Sequence, residues 1–374
     1  MLPNPEAVCL MSSSFFMKIT KRSWRLPKGV PSDVNRFLSE GRVSSLKWLL
    51  KYVKRRLFCF VFVEVLGLIP EKNNISSRHK RILWINLVAP SLGDSLMDLS
   101  SRVLLVDREV ILLTHPKNAP LYENKDKWFA AVYSSPRLLV EKIGINAFDL
   151  VICDSFSPRV LIKKLYVAPL VEFCGVYGYV NGFEVHRTYF AFARMMELLS
   201  LRHISELVQP TISVPEKLNK CNSVDVCVAV GGEWSFRTYD HWLPVVRWLV
   251  DRGLSVTLIG SVNGLEKANV ITGSVSSVRS TVGELSLSEV VDQIASCKAF
   301  IGADGGLWHI ACAIPVPNVV LFADCQIFDE CGIRVTRETA NMVTETLYDD
   351  SAVSNIYYES VIAAFERLCA RIDL

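Results

Sequence analysis

The stretch FIGADGGLWHIACA, residues 300–313, joins an apolar run to a run of small apolar residues through an acid and two glycines. The first run predicts a buried strand, and the segment around His309 predicts a helix. Asp304, Gly305 and Gly306 stand at the junction between them. Free backbone N–H groups at a helix N-terminus, with glycine in front of them, form an anion site. The stretch therefore predicts a strand end that binds an anion, although a lone His here also fits a packed core residue.

The same alternation of strand and helix runs along the chain in two rounds. Apolar runs predict strands over 81–88, 109–115, 148–154, 170–176, 224–232, 254–261, 299–304 and 317–324. Short apolar strands that alternate with helices are typical of parallel sheets covered on both faces. We therefore predict an α/β fold with two Rossmann-like domains facing a central cleft. Ligand loops are expected at the carboxyl ends of the strands.

The charges divide the chain into a basic extension and an acidic body. Residues 1–80 contain 15 Lys and Arg residues and 5 Asp and Glu residues. Residues 81–374 contain 26 Lys and Arg residues and 33 Asp and Glu residues. We predict a basic helical N-terminal extension over 1–80, its last ten residues a polar linker. Domains follow over 81–215 and 216–350, and a C-terminal helix lies within 351–374.

The 11 cysteines form no regular framework and no C-x-x-C pair. Most of them lie in apolar runs, so we interpret them as reduced core thiols, which fits a cytoplasmic protein. The first residues lack the pattern of a secretory signal. The chain has no D-x-D motif, and the pairs Cys221/Cys227 and Cys325/Cys331 are spaced too loosely to indicate a zinc site.

Residues 42–70 combine basic side chains with an apolar run that starts at Leu57. The run ends at Ile69 and is shorter than the roughly 20 residues of a membrane-spanning helix. The segment fits a helix packed on the body, and it also fits peripheral contact with an anionic membrane. Nucleic-acid contact is a third alternative, but we expect no nucleic-acid partner.

Two more polar loops follow predicted strands. Gly93 and Asp94 stand where a helix begins, so Asp94 is either a helix cap or a carboxylate that acts as a general base. The loop VGGEWSFRTYDHW, residues 230–242, offers groups that bind phosphate oxygens. Its candidate ligand-binding residues are Gly231, Gly232, Ser235, Arg237 and Thr238.

These three loops, in this order, resemble motifs of glycosyltransferase family 9, the heptosyltransferase family. The matching segments are ILWINLVAPSLGD, VAVGGEWSFRTYDHW and the stretch from Asp304 to Ala311. The resemblance covers residues 80–324 and the C-terminal helix, and no part of 1–80. It implies the GT-B fold and an inverting, metal-independent transfer of a heptose or related sugar. The implied donor is a nucleotide-diphosphate sugar such as ADP-heptose, and the implied acceptor is a lipopolysaccharide-type or other surface glycan.

The resemblance also assigns roles to the polar residues. Residues 81–215 would hold the acceptor and 216–350 the nucleotide sugar. Asp94, beside Gly93, would deprotonate the acceptor hydroxyl. The remaining candidates would bind the donor: Gly231, Gly232, Ser235, Arg237 and Thr238 in one loop, and Asp304, Gly305, Gly306 and His309 in the other.

The sequence departs from the family pattern at three places. Gly305 replaces a Ser or Thr, Arg237 replaces a common Lys, and Ser100 lies near the place of a family Pro. A non-catalytic or repurposed GT-B protein that binds a nucleotide or glycan is therefore the alternative. A cytoplasmic protein at the inner face of the inner membrane is the location that the resemblance implies.

Overall fold

The structure is a computed structural model. It describes residues 71–88, 91–123, 126–177, 187–201, 211–214, 224–323, 343–372 and 374, with residues 50, 53–54, 57–58 and 60–61 of the N-terminal part. The chain divides into two compact units. Unit 1 comprises Met1–Pro90, Asp98–Ala119 and Trp128–Ile204, and unit 2 comprises Ser91–Met97, Pro120–Lys127 and Ser205–Leu374.

Unit 1 is built on a five-stranded parallel sheet with the order β3-β2-β1-β4-β5. Its strands are β1 (Arg81–Asn86), β2 (Glu109–Thr114), β3 (Ala131–Tyr133), β4 (Leu150–Cys153) and β5 (Phe173–Gly175). β1 pairs with β2 and with β4, so it is the central strand, and its last five residues are buried.

Unit 2 is built on a six-stranded parallel sheet with the order β11-β10-β9-β6-β7-β8. Its strands are β6 (Val224–Ala229), β7 (Val256–Ile259), β8 (Arg279–Ser280), β9 (Cys297–Ala303), β10 (Asn318–Ala323) and β11 (Thr344–Asp349). Every apolar run that predicted a strand forms one. The prediction of two parallel-sheet α/β units is confirmed.

Ten α-helices of the described residues connect these strands. They are α1 (Leu92–Asp98), α2 (Ala119–Tyr122), α3 (Pro136–Ile143), α4 (Pro158–Val167), α5 (Arg187–Leu198), α6 (Trp242–Asp251), α7 (Leu265–Ser274), α8 (Leu287–Ala295), α9 (Gly306–Ala313) and α10 (Tyr358–Ile372). The helix expected over 93–105 is divided, since α1 ends at Asp98 and a 3-10 helix follows over Ser100–Leu105. The capping box expected at Ser286 and Glu289 is present at the start of α8.

Each unit has its own hydrophobic core. The first core joins β1, β2 and β4 with residues of α3 and α4. The second joins the inner strands of the larger sheet with α6, α7 and α10. The segment 71–80, expected to be a polar linker, packs on unit 1, because Ile75 is buried and its N–H donates to the Leu198 carbonyl at 2.6 Å. The predicted boundary at 215/216 lies outside the described residues, and the domain limits stay predictions.

Candidate functional site

The loop between β9 and α9 holds a buried acid. The Asp304 N–H donates to the Leu321 carbonyl at 2.8 Å, which ties the end of β9 to β10. Gly305 has an extended backbone, and α9 begins one residue later. The first N–H groups of a helix lack partners within the helix, so this turn carries the donors expected of an anion site.

Asp304 is the centre of a charged cluster in unit 2. Its side chain is 3% exposed, and its Oδ2 lies 3.2 Å from Nη1 of Arg237. Its Oδ1 lies 3.8 Å from Nε2 of His309, one turn into α9. No well-directed hydrogen bond to Oδ2 comes from the described residues, so the contact with Arg237 is an ion pair. The second and third predicted loops therefore meet at this carboxylate.

The first predicted loop reaches the same cluster through Gly93. A Cβ at Gly93 would overlap the His309 ring, and a Cβ at Gly306 would lie 3.0–3.1 Å from the Leu92 side chain. Glycine at these positions thus lets the first turns of α1 and α9 pack closely. Asp94 is half-buried in that first turn of α1. Residues 91–97, which include Asp94, group with unit 2.

The loop after β6 is closed by its own hydrogen bonds. Ser235–Arg237 forms a 3-10 turn, and the Thr238 hydroxyl donates to the Trp234 carbonyl at 2.9 Å. A Cβ at Gly232 would overlap the Thr238 hydroxyl oxygen. The proton of Thr238 is therefore engaged within the loop, whereas Ser235 is exposed. Of the expected phosphate-binding side chains, Arg237 is the one that contacts Asp304.

A fourth loop, residues 260–264, escaped the sequence analysis. It follows β7, and its Asn263 side-chain amide donates to the Gly232 carbonyl at 2.8 Å. A Cβ at Gly264 would lie 3.2 Å from the Gly231 backbone, so the two glycine loops touch. The signal was available, since GSVNG follows an apolar strand as the other loops do.

Asp154, at the end of β4 in unit 1, was also missed. It is buried, and its Oδ2 accepts the N–H groups of Leu87 at 2.8 Å and Val88 at 2.9 Å. Burial is the main cause that raises the pKa of Asp154 to about 7, while these backbone bonds act in the opposite direction. The carboxyl therefore titrates near neutrality while it holds the start of the segment from β1 to α1. An Asp directly after a predicted strand was the signal.

No cluster of three His, Cys, Asp or Glu side chains suited to a metal is found among the described residues. Independence from metal stays a prediction.

None of the helices in the described ranges is both long enough and apolar enough to span a membrane.

Two parallel-sheet α/β units with glycine loops at their strand ends define a GT-B-type fold. The structure of ADP-heptose lipopolysaccharide heptosyltransferase II from Escherichia coli has a TM-score of 0.61 and 19% identity, over 79% of this chain and 100% of that one. A family 9 glycosyltransferase from Veillonella parvula has a TM-score of 0.63 and 14% sequence identity. The alignment covers 80% of this chain and 100% of the Veillonella chain. At these identities the likeness concerns the fold, and the predicted fold class is confirmed.

Residues 185–328 match the family model described as glycosyltransferase family 9 (heptosyltransferase). Lipopolysaccharide heptosyltransferase 2 of Escherichia coli K12 is 34% identical over 87 residues. That alignment spans 22% of this chain and 25% of the relative, so it covers a quarter of the relative's length. The match covers the second and third motifs, and it confirms the resemblance to glycosyltransferase family 9.

Proposed function

We propose that the protein is a glycosyltransferase. It transfers a heptose or related sugar from a nucleotide-diphosphate donor to a lipopolysaccharide-type or other surface glycan. The family match and the heptosyltransferase relatives support this reaction. Another solved structure of this fold is that of Escherichia coli heptosyltransferase WaaC with ADP-2-deoxy-2-fluoro heptose, so ADP-heptose is the first donor to test.

The observation that carries the proposal is the cluster around Asp304. Three sequence segments that each resemble a family motif meet there, through Arg237, His309 and the contact of Gly93 with the His309 ring. A structural helix junction has no need of a buried carboxylate shared by an Arg and a His. Such a cluster suits the recognition of a polar, anionic ligand.

The donor side acts by stabilising negative charge. When the bond between the anomeric carbon and the phosphate oxygen breaks, charge grows on the nucleoside diphosphate. The N–H groups at the start of α9 and the Arg237 guanidinium are positioned to bind that anion. Asp304, next to them, is suited to accept hydrogen bonds from sugar hydroxyls, and its charge orients Arg237.

The acceptor side acts by general base catalysis. The acceptor hydroxyl attacks the anomeric carbon, the glycosyl–phosphate bond breaks, and the hydroxyl proton passes to the Asp94 carboxylate. One displacement inverts the anomeric configuration. Protein cations and helix N–H groups take the part that a metal plays in other transferases, so we propose that the reaction is metal-independent.

We also propose that the protein works in the cytoplasm, peripherally at the inner face of the inner membrane. The exposure of single described residues in segment 42–70 supports this location. Val53 and Phe58 pack against the first core, whereas Leu50 and Leu57 are exposed. The exposed apolar side chains, beside the exposed Lys54, are of the kind that enter an anionic membrane surface.

The test is release of nucleoside diphosphate from a panel of nucleotide sugars, with ADP-heptose first, and with lipopolysaccharide precursors as acceptors. We expect Asp94→Asn to lower kcat by about 100-fold or more while donor Kd changes little, because the base is lost and the donor contacts remain. Arg237→Ala is expected to weaken donor binding. Asp107→Asn, an exposed carboxylate in a turn of unit 1, is the matched control.

Two results would contradict the proposal. Absence of both donor binding and turnover across the panel would overturn it. Donor binding without turnover, unchanged by Asp94→Asn, would instead establish the non-catalytic alternative.

A further inference from the structure

The helices α3 and α4 of unit 1 present an unusual outer surface. Both helices contribute to the first core on their inner sides, through Leu139 in α3 and Val160 and Leu161 in α4. They pack against each other. Both belong to crossovers that step in the same direction across the sheet, which places them on one face of it. Their outer sides therefore form one continuous surface.

That surface carries large apolar side chains that no other described element covers. The exposed fractions are 42% for Leu138, 57% for Ile145, 50% for Ile162, 51% for Tyr166 and 74% for Leu170. Positions 138 and 142 share one side of α3, positions 159, 162 and 166 share one side of α4, and Ile145 and Leu170 follow the ends of the two helices. Apolar and basic residues thus share the same outward sides. We call these residues, with the cations named next, the α3–α4 face.

The charges on the α3–α4 face are almost all positive. Arg137, Lys142 and Arg159 are exposed and Lys163 is half-buried, while Glu141, also exposed, is the acid within the two helices. None of these four cations has an ion pair or hydrogen bond with a residue in the described part of the chain. Most other described Arg residues with a comparable exposure are paired, as Arg252 is with Glu366 and Arg367 with Glu345. The positive charge of this face is therefore uncompensated.

We propose that the α3–α4 face docks on the surface of an anionic lipid bilayer. Leu138, Ile145, Ile162 and Leu170 insert into the headgroup region, and Tyr166 lies at the boundary with its hydroxyl in water. The four cations extend their charged ends to lipid phosphates. The purpose of this contact rests on the proposed function, because it would keep the enzyme beside a glycolipid acceptor.

A bilayer fits this face better than a protein or a nucleic acid does. The apolar residues of this face are dispersed among cations along two neighbouring helices rather than gathered in a groove for a partner helix. A nucleic acid needs basic side chains with few exposed aliphatic residues between them, whereas this face exposes four aliphatic side chains. The face lies outside segment 42–70, so it is a second contact for the same membrane.

Vesicle sedimentation tests this proposal without any substrate. The full chain is mixed with vesicles of phosphatidylcholine containing about one third phosphatidylglycerol, and with vesicles of phosphatidylcholine alone. We compare the native protein with the variants Ile162→Ser/Tyr166→Ser and Arg159→Gln/Lys163→Gln. The control variant is Arg247→Gln/Arg279→Gln, which removes two exposed cations of unit 2. Circular dichroism and the unfolding midpoint verify that each variant folds.

We expect the native protein and the control to bind the anionic vesicles, and each α3–α4 variant to bind about ten-fold more weakly. Added salt should weaken the binding of the native protein more steeply than that of the charge variant, which has lost two of the four cations of the face. Equal binding of all four proteins would overturn the proposal. So would loss of self-association or of nucleic-acid binding in the variants, with lipid binding unchanged, since these outcomes assign the face to a second copy or to a nucleic acid.

The result of the vesicle experiment can be distinguished from the result of the transferase test. Turnover with a water-soluble acceptor fragment should be the same in both α3–α4 variants and the native protein. Failure of vesicle binding leaves the transferase test intact, and failure of turnover leaves the vesicle result intact.

Discussion

Gly305 lies where family 9 places a hydroxyl, and the structure shows that a side chain fits there. Its backbone is extended, and a Cβ would meet only the Ala303 carbonyl, at 3.8 Å. We predict that Gly305→Ser folds normally, because serine also favours the N-cap position that Gly305 occupies. The added hydroxyl should strengthen binding of ADP by roughly 2- to 10-fold, measured by calorimetry.

Gly306→Ser is the matched control for this change. The Cβ at position 306 would press on the Leu92 side chain, so this variant should lose affinity or stability. If Gly305→Ser binds ADP no better than the native protein, the missing hydroxyl does not explain the difference from the family.

Asp154 predicts a pH-dependent stability. The pKa of its carboxyl is 3.8 in a model compound and about 7 in the folded protein, so the folded state binds the proton more tightly. This contribution to stability is complete below about pH 4 and is lost as the pH rises to 7. The Asp154→Asn side chain keeps an oxygen that accepts the Leu87 and Val88 N–H groups, but it does not ionise. Relative to the native protein, the variant should therefore gain stability between pH 4 and pH 7.

Urea unfolding at a series of pH values measures this difference. Asp149→Asn is the control, because Asp149 accepts the N–H groups of Lys80 and Arg81 at 2.8 Å from an exposed position. A constant difference between Asp154→Asn and the native protein over this pH range would contradict the prediction.

At the scale of elements, the helix α10 is part of the second core. Its residues Val361, Ala364, Phe365 and Leu368 are buried there, and the Phe365 ring packs edge-on against Trp248 with the centroids 6.3 Å apart. We predict that Phe365→Ala lowers the free energy of unfolding by about 3–5 kcal/mol. Tyr357→Ala, just before the same helix and 77% exposed, should change it by less than about 0.5 kcal/mol. Equal effects of the two changes in urea unfolding would show that the helix does not stabilise unit 2.

The elements that the sequence predicted well are the buried ones. A central parallel strand is covered on both faces, so its middle is a continuous apolar run, as in β1, β9 and β10. The elements that escaped prediction lie at sheet edges or are short. β11 has the half-buried sequence TETLYD, and β8 has two residues. β11 pairs with β10, and β8 pairs with β7. These pairings give the two segments their strand conformation, and they leave no pattern in the local sequence.

At the scale of the whole molecule, two rounds of strand and helix form two parallel sheets with separate cores. The basic surplus belongs to residues 1–80, and the α3–α4 face adds uncompensated cations in an otherwise acidic body. Membrane contact through segment 42–70 and through the α3–α4 face remains a proposal that rests on these charges and on exposed apolar side chains.

The sequence by itself determined the α/β class, the positions of the buried strands, and the residue types at the strand ends, because burial and helix initiation leave local patterns. Only the tertiary structure decided that Arg237 and His309 share Asp304, and that Gly93 touches the His309 ring. Arg237 and Gly93 lie far from residues 304–309 in the chain, and their proximity to them depends on strand order. The raised pKa of Asp154 likewise comes from burial in the fold, since the same carboxyl in water would titrate near its ordinary value.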